Sequence, residues 1–382
     1  MAEWLRRLTR NQVGVSRRSS NLLAVVLLFD LLPPLLSVSM SSTPWRGVVL
    51  GCGSSASTPK LQCVIQGRKG DEDCVCNQIP FDPRNHRLNP SLILSNLDTD
   101  THVLIDAGKT FRESVLRHFA HFHISHVNGI LLTHGHQDAI NGLDDVREIQ
   151  PRNRTGLIPI DIHANSDTIR VVQRMFPYMF PALEESKSGI QGLFKAQCEL
   201  QSHPHLEPFL VCGLQVFPIP LAHGDQDCWG FIIRSPIQLE KQLVYFSDFK
   251  SRAFERIRGV AQEGCFRPFS RDPVPDEDIE RLTFLIHPEE TLKLLKEYPV
   301  SLMFLDALHE DRSYPSHSNF PETFKVIQAL FEQGVSFDKV ILTGMACTID
   351  YARTMARVQE RFKGLSFSVE CGMDGMEFKP FG

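Results

Sequence analysis

The chain has 382 residues, enough for one large α/β domain or two ordinary ones. Hydrophobic residues at 42% and charged residues at 22% are a globular mix, and a formal net charge of −5 offers no basic field to draw nucleic acid. Ten cysteines scattered through so long a chain do not make a small disulfide-built secreted domain, so a reduced compartment is expected.

The first twenty residues carry Arg6, Arg7, Arg10, Arg17 and Arg18 against one acid, Glu3, and lead into an apolar run at 22–29. That run is too short for a stable membrane span, which needs roughly 20 apolar residues. Three readings of residues 1–45 stay open: a secretory signal core, an organelle (mitochondrial or plastid) transit peptide, or an extension ahead of Met40. The last would leave the chain in the cytoplasm.

From residue 46 onward short apolar runs bounded by Gly, Pro, Asn or Asp predict strands at 46–50, 91–94, 102–105, 128–132, 160–163, 214–218, 230–233, 243–246, 302–305 and 339–342. Helical spacing predicts helices at 111–120, 167–175, 288–297, 321–332 and 351–362. Strands come first, then strands and helices alternate. This suggests one α/β domain over 46–382, an αββα sandwich of two mixed sheets with helices on the outer faces. Residues 252–285, with Pro268, Pro273 and Pro275, read as a surface insertion, and 177–210 as a looser elaboration.

The sharpest local pattern follows the run Gly129-Ile130-Leu131-Leu132: Thr133, His134, Gly135, His136, Gln137, Asp138. Two histidines at i and i+2 after a strand reach one cavity if the backbone bends, and Gly135 permits the bend. Imidazole suits zinc and its neighbours, and Asp138 adds a hard oxygen. Three further strand ends carry polar residues: His223 before Gly224, Asp248 after Val244-Tyr245-Phe246-Ser247, and Asp306 followed by Pro315-Ser316-His317. Strand-to-loop junctions are where α/β sites collect.

With these residues, the chain resembles the metallo-β-lactamase superfamily. Within it the resemblance is to the branch of the bacterial cyclic-phosphate phosphodiesterase of phosphonate catabolism and, more distantly, to tRNA 3′-processing endonucleases. It rests also on Gly51-Cys52-Gly53-Ser54-Ser55, Asp82-Pro83-Arg84-Asn85, Leu104-Ile105-Asp106-Ala107-Gly108, Gly142-Leu143-Asp144-Asp145-Val146-Arg147 and Asp374-Gly375-Met376. The resemblance implies that His134, His136 and His223 hold a first metal, that Asp248 bridges two metals, and that Asp138 serves the second. It implies a hydrolase acting through a metal-bound hydroxide, and a histidine at the position of His317 that approaches substrate as acid or phosphate ligand. A solvated loop histidine is the plainer reading of His317, with Ser316 and Tyr314 weaker candidates and His309 out of frame.

Two departures stand out. Ala139 and Gly344 occupy positions where the family pattern has histidines of the second metal. The expectation is therefore one catalytic metal, or a weakly held second, with Asp138 free to orient or deprotonate water. The branch also carries a structural zinc. Here Cys74 and Cys76 form the tight pair, with Cys63 and Cys347 able to complete a tetrahedral four-thiolate set, against a reading of free thiols on a loop. Asp106 is read as a brace for the metal loop, Arg147 as either a phosphate contact or the partner of a neighbouring acid, and His118, His121, His123 and His126 as solvated.

The expected function is hydrolysis of a small phosphodiester, cyclic ones included, with zinc or manganese. Thioester or lactone hydrolysis and a catalytically weakened binding protein are the alternatives. Nucleic acid is not favoured as a partner, and a homodimer stays open.

Overall fold

The computed structural model describes residues 44–66, 74–154, 156–179, 194–196, 206–224, 226–250 and 284–382. The expected leader, most of the insertion read at 252–285, much of 177–210, and Cys198 and Cys265 lie outside the described residues.

Two seven-stranded sheets build the body. The first has the order β16-β1-β2-β3-β4-β7-β8. Its members are β1 (Trp45–Gly51), β2 (Ser91–Asn96), β3 (Thr101–Ile105), β4 (Gly129–Leu131), β7 (Ile160–His163), β8 (Phe194–Ala196) and β16 (Glu377–Phe378). The second has the order β15-β14-β13-β12-β11-β10-β9. It comprises β9 (Phe209–Val211), β10 (Leu214–His223), β11 (Gln226–Ser235), β12 (Gln238–Phe246), β13 (Val300–Asp306), β14 (Phe337–Thr343) and β15 (Ser368–Cys371). Both sheets are mixed: β3–β4–β7–β8 and β12–β13–β14–β15 run parallel, the rest antiparallel. β5 (Arg152–Asn153) and β6 (Gly156–Leu157) form a separate small hairpin.

The alternation of side chains shows how the layers stack. Val49, Leu92, Leu94, Val103, Ile105 and Leu131 of the first sheet share one core with Val216, Ile232, Val244 and Leu305 of the second. Their neighbours Val48, Leu50, Ile93, Leu104 and Ile130 face the other way, into a core with Phe111, Phe119, Ile169 and Val172 from helices. With a period of two residues per strand, one face must meet the partner sheet and the other the helices. Helices α1 (Leu61–Ile65), α2 (Phe111–Ser114), α3 (Gln137–Ile140), α4 (Ser166–Met175), α5 (Pro288–Glu297), α6 (Phe320–Glu332) and α7 (Tyr351–Arg361) complete the body. This is the αββα sandwich the sequence suggests.

Some elements differ from expectation. The helix expected over 111–120 is α2 followed by a π turn over Val115–Phe119. The stretch after the histidine motif breaks into α3 and a 3-10 turn over Leu143–Ile149, because the Gly142 N–H leaves the helix to donate to the Ala107 carbonyl. β8, β9, β15 and β16 were not expected; each is short or lacks an uninterrupted apolar run.

Candidate metal centre

The parallel strands β4, β12 and β13 end at one edge, and β10 brings its last residue there. His134 and His136 follow β4, His223 closes β10, Asp248 follows β12, and Asp306 closes β13. The β3–α2 loop supports the histidine loop from beneath. The Ala107 N–H donates to the Ala139 carbonyl at 2.7 Å, and Gly108 lies so close that a Cβ there would stand 1.9 Å from the Asp138 carbonyl oxygen.

One donor atom each of His134, His136 and His223 lie within 4.8 Å of one another, and so do those of His223, Asp248 and His317. The two groups share His223. The ring centroids of His134 lie 4.6 Å from His136 and 5.0 Å from His223, and His223 lies 4.8 Å from His317. Asp138 is buried in the first turn of α3 beside this set, but it belongs to neither close group.

The ring orientations are fixed from behind. The Thr133 hydroxyl donates to Asp106 Oδ2 at 2.8 Å, so its oxygen accepts from His134 Nδ1–H, also at 2.8 Å. Asp106 Oδ1 takes the Thr133 backbone N–H. His223 Nδ1–H donates to the Ser316 carbonyl at 2.8 Å. Both imidazoles are thereby set to offer Nε2, and the His134 Nε2 is buried with no hydrogen-bond partner. Burial pushes the values of His134 and His223 down to about 4, so both are neutral, as metal ligands must be. A buried, bare Nε2 among imidazoles fits a zinc-type ion, and the carboxylate of Asp248 suits it equally. Burial alone would raise Asp248, but His134, His317 and His223 together with the Ser247 hydroxyl at 2.6 Å hold it down at about 2.

His317 has a definite place. Its Nδ1 lies 2.8 Å from Asp306 Oδ2 and 3.7 Å from Asp248 Oδ1. Burial would lower it, but Asp306 and Asp248 outweigh that and raise it to about 9. Asp306 is itself pushed up to about 6 by burial, against the pull of His317. Gly344 stands directly over Asp306: a Cβ on it would approach Asp306 Oδ1 to 2.5 Å, and its φ is +73°. Ala139 is packed in the helix-side core.

Cys63, Cys74, Cys76 and Cys347 bring their sulfurs within 4.8 Å of one another. Tetrahedral zinc with bonds of about 2.3 Å needs sulfurs roughly 3.8 Å apart, so this spacing can hold the ion. Burial pushes Cys347 up to about 12; in Cys74 hydrogen bonds from Cys76, Cys63 and Cys347 outweigh burial and lower it.

Sequence reasoning passed over Thr133, the Ser316 carbonyl and Arg87. Fully buried Arg87 donates to the Ala346 and Ile349 carbonyls on either side of Cys347 and to Asn85 Oδ1. An arginine between Asn85-His86 and Leu88-Asn89, flanked by two asparagines, was the available signal. Of the histidines read as solvated, His118 is half-buried and His126 packs edge-on against His102, whereas His121 and His123 are exposed. Arg147 does pair with Asp144, at 2.9 Å. His309 faces Thr348, outside both close groups.

Stacked mixed sheets flanked by helices, with histidines and carboxylates gathered at one edge, define the metallo-β-lactamase type of fold. The β-lactamase superfamily domain matches residues 101–265 of the chain, a stretch that includes the histidine motif, His223 and Asp248. Members of this family are hydrolases. The octanoyltransferase of Porphyromonas gingivalis is 28% identical over 214 residues, 56% of this chain and 36% of that protein. The ribonuclease Z of Bradyrhizobium diazoefficiens is 26% identical over 169 residues, 41% of this chain and 47% of that protein. The chain thus spans less than half the length of these curated relatives. Among solved structures, a diphosphatase of the PhnP family matches with a TM-score of 0.58 at 23% identity, over 88% of this chain and 97% of that one. At that identity the likeness is one of fold.

Proposed function

We infer that the chain is a metal-dependent hydrolase of small phosphodiesters, cyclic ones included, working with one catalytic metal. The observation that carries the metal is the bare, buried Nε2 of His134, facing a set completed by His136 and His223. Zinc or manganese held by these three nitrogens and Asp248 would supply Lewis acidity and a water ionising near pH 7. His136 and His223 fix the position, while Asp106 and Thr133 keep His134 in the tautomer that binds. Asp138 orients the attacking water and accepts its proton. His317, protonated at neutral pH and held at Nδ1 by Asp306, gives its Nε2 proton to the leaving oxygen, which departs as the alcohol. Asp138 then releases the proton taken from water to solvent, and His317 regains one from solvent. The single-metal reading is supported by Ala139 and Gly344, with Asp306 Oδ1 standing where a side chain at 344 would go. The Cys63–Cys74–Cys76–Cys347 set would take a structural zinc.

Metal analysis coupled to a substrate screen tests this reading. The expected result is one catalytic ion and one thiolate-held zinc per chain, with turnover of bis(p-nitrophenyl) phosphate and cyclic nucleotides lost in His134→Ala. Two tightly held catalytic ions would overturn the single-metal assignment. Faster turnover of thioesters, or of RNA, would overturn the substrate class, and metal binding without turnover would make the chain a binding protein.

A further inference from the structure

A separate group of imidazoles and carboxylate lies at the opposite end of β3. In the turn between β2 and β3, Asn96 Oδ1 accepts the N–H groups of Asp98 and Thr99 at 3.0 and 3.2 Å, and Asp100 takes a φ of +49°. His102, the second residue of β3, is 2% exposed. Its N–H donates to Asn128 Oδ1 at 2.7 Å and its carbonyl accepts the Asn128 N–H at 2.9 Å. Those two bonds hold the loop bearing His126 against β3, and the two rings meet edge to face with centroids 5.0 Å apart. His102 Nδ1 is engaged by Ser95 Oγ at 2.9 Å, while Nε2 stands 3.1 Å from Asp100 Oδ1. His126 has Nε2 3.1 Å from the Asp100 carbonyl and Nδ1 3.0 Å from Ser125 Oγ. One donor atom of each of Asp100, His102 and His126 lies within 4.8 Å of the other two.

We propose that Asp100, His102 and His126 form an additional metal site, for a divalent ion of the zinc type, that clasps the β2–β3 turn to the loop before β4. Two imidazoles and a carboxylate are a donor set for such ions, and a bonded opposite nitrogen, as His102 has in Ser95, is the usual support of a metal-binding histidine. Bonds of about 2.0–2.2 Å place neighbouring donors roughly 3.3 Å apart, close to the His102–Asp100 separation already present. The Asp100 side chain is 71% exposed, which leaves a coordination position for water. His102 and Asp106 are four steps apart along the extended chain, about 13 Å, so this group is distinct from the catalytic edge. The plainer account is a His–Asp hydrogen bond that merely rigidifies the turn, and it predicts no bound ion.

Full-length protein dialysed against micromolar free Zn2+ separates the two accounts. Wild type should hold one zinc more than Asp100→Asn or His126→Ala, and added zinc should raise its melting midpoint by an increment that both variants lack. Phosphodiesterase turnover should be the same in all three. Equal zinc content in wild type and Asp100→Asn, or loss of the extra zinc at micromolar concentrations, would overturn the proposal. Asp100→Asn alters only an exposed turn residue, so the test stands even if His126→Ala folds poorly.

Discussion

Thr133 serves His134 twice over, as acceptor of Nδ1–H and as the link to buried Asp106. Thr133→Val keeps the shape and removes the oxygen, so His134 can rotate or change tautomer. Metal affinity should fall about 10- to 100-fold, as measured by competition with a chromophoric chelator, and Thr133→Ser should restore most of it. Gly344 is fixed by geometry as well as by chemistry: φ of +73° disfavours any side chain, and Asp306 Oδ1 lies where Cβ would go. Gly344→Ala should cost about 1–2 kcal/mol in denaturant unfolding from the backbone alone. Gly344→His should bring no second catalytic ion unless Asp306 is also shortened. His317 is raised above its ordinary value of 6.5 to about 9, so its pairing with Asp306 and Asp248 stabilises fully below pH 6.5 and is lost as pH climbs through 9. In metal-free protein the stability gap between wild type and His317→Gln should therefore close between pH 6.5 and 9 and vanish above it. At this scale the sequence named His134, His136, His223 and Asp248 as candidates by their positions at strand ends, and His317 only through the family resemblance. It could not show that Asp306 and His317, eleven residues apart, would meet, because the loop between them has no periodic pattern.

The strands and helices follow their sequence signals closely where burial is one-sided, and the departures have causes. β10 was expected to stop at Pro218 but runs to His223 through Pro218 and Pro220. Ala222 N–H points away from β11, to the Phe284 carbonyl, and residues two and four before it point the same way. β9 pairs only as far as Val216, so the missing proline N–H groups cost no ladder bond. That extra length is what delivers His223 to the site. Cys63 shows a similar limit: eleven residues of sequence hide the fact that α1 sets its thiol beside Cys74 and Cys76. α6 was legible from Pro321 and its apolar stripe, and its capping box of Asn319 and Glu322 does more than cap. Glu322 also receives Lys250 Nζ at 2.6 Å on both oxygens, with the lysine side chain only 5% exposed. The helix is thereby tied to the segment two residues beyond Asp248. Lys250→Met leaves a largely buried carboxylate without its cation and should cost about 3–5 kcal/mol in chemical denaturation, whereas the double variant Lys250→Met, Glu322→Gln should recover much of that loss.

Across the whole molecule, the candidate centre is split between the two sheets. The first contributes His134, His136 and Asp138 after β4; the second contributes His223, Asp248, Asp306 and, through the loop after β13, His317. The sandwich itself was legible, because strands of period two with both faces apolar must be covered on both sides. Which strands lie side by side was not, since β16 joins the first sheet and β15 the second through pairings no local pattern encodes. An ion bound by histidines of both sheets acts as a cross-link between layers held otherwise by their shared apolar core. Its binding free energy adds to folding stability, by about 4 kcal/mol when free metal exceeds the dissociation constant a thousandfold. At about 1.4 °C per kcal/mol for a domain of roughly 340 residues, stripping it should lower the melting midpoint by about 6 °C. The thiolate cluster lies elsewhere, on α1, the turn at 74–77 and the loop after β14, so a chelator alone would confound the two. His134→Ala separates them. With zinc at the cysteines retained, this variant should melt near the stripped wild type and gain nothing from added catalytic metal, while wild type recovers fully. Equal recovery in both proteins would place the stabilising ion at the thiolates and leave the two sheets without a metal between them.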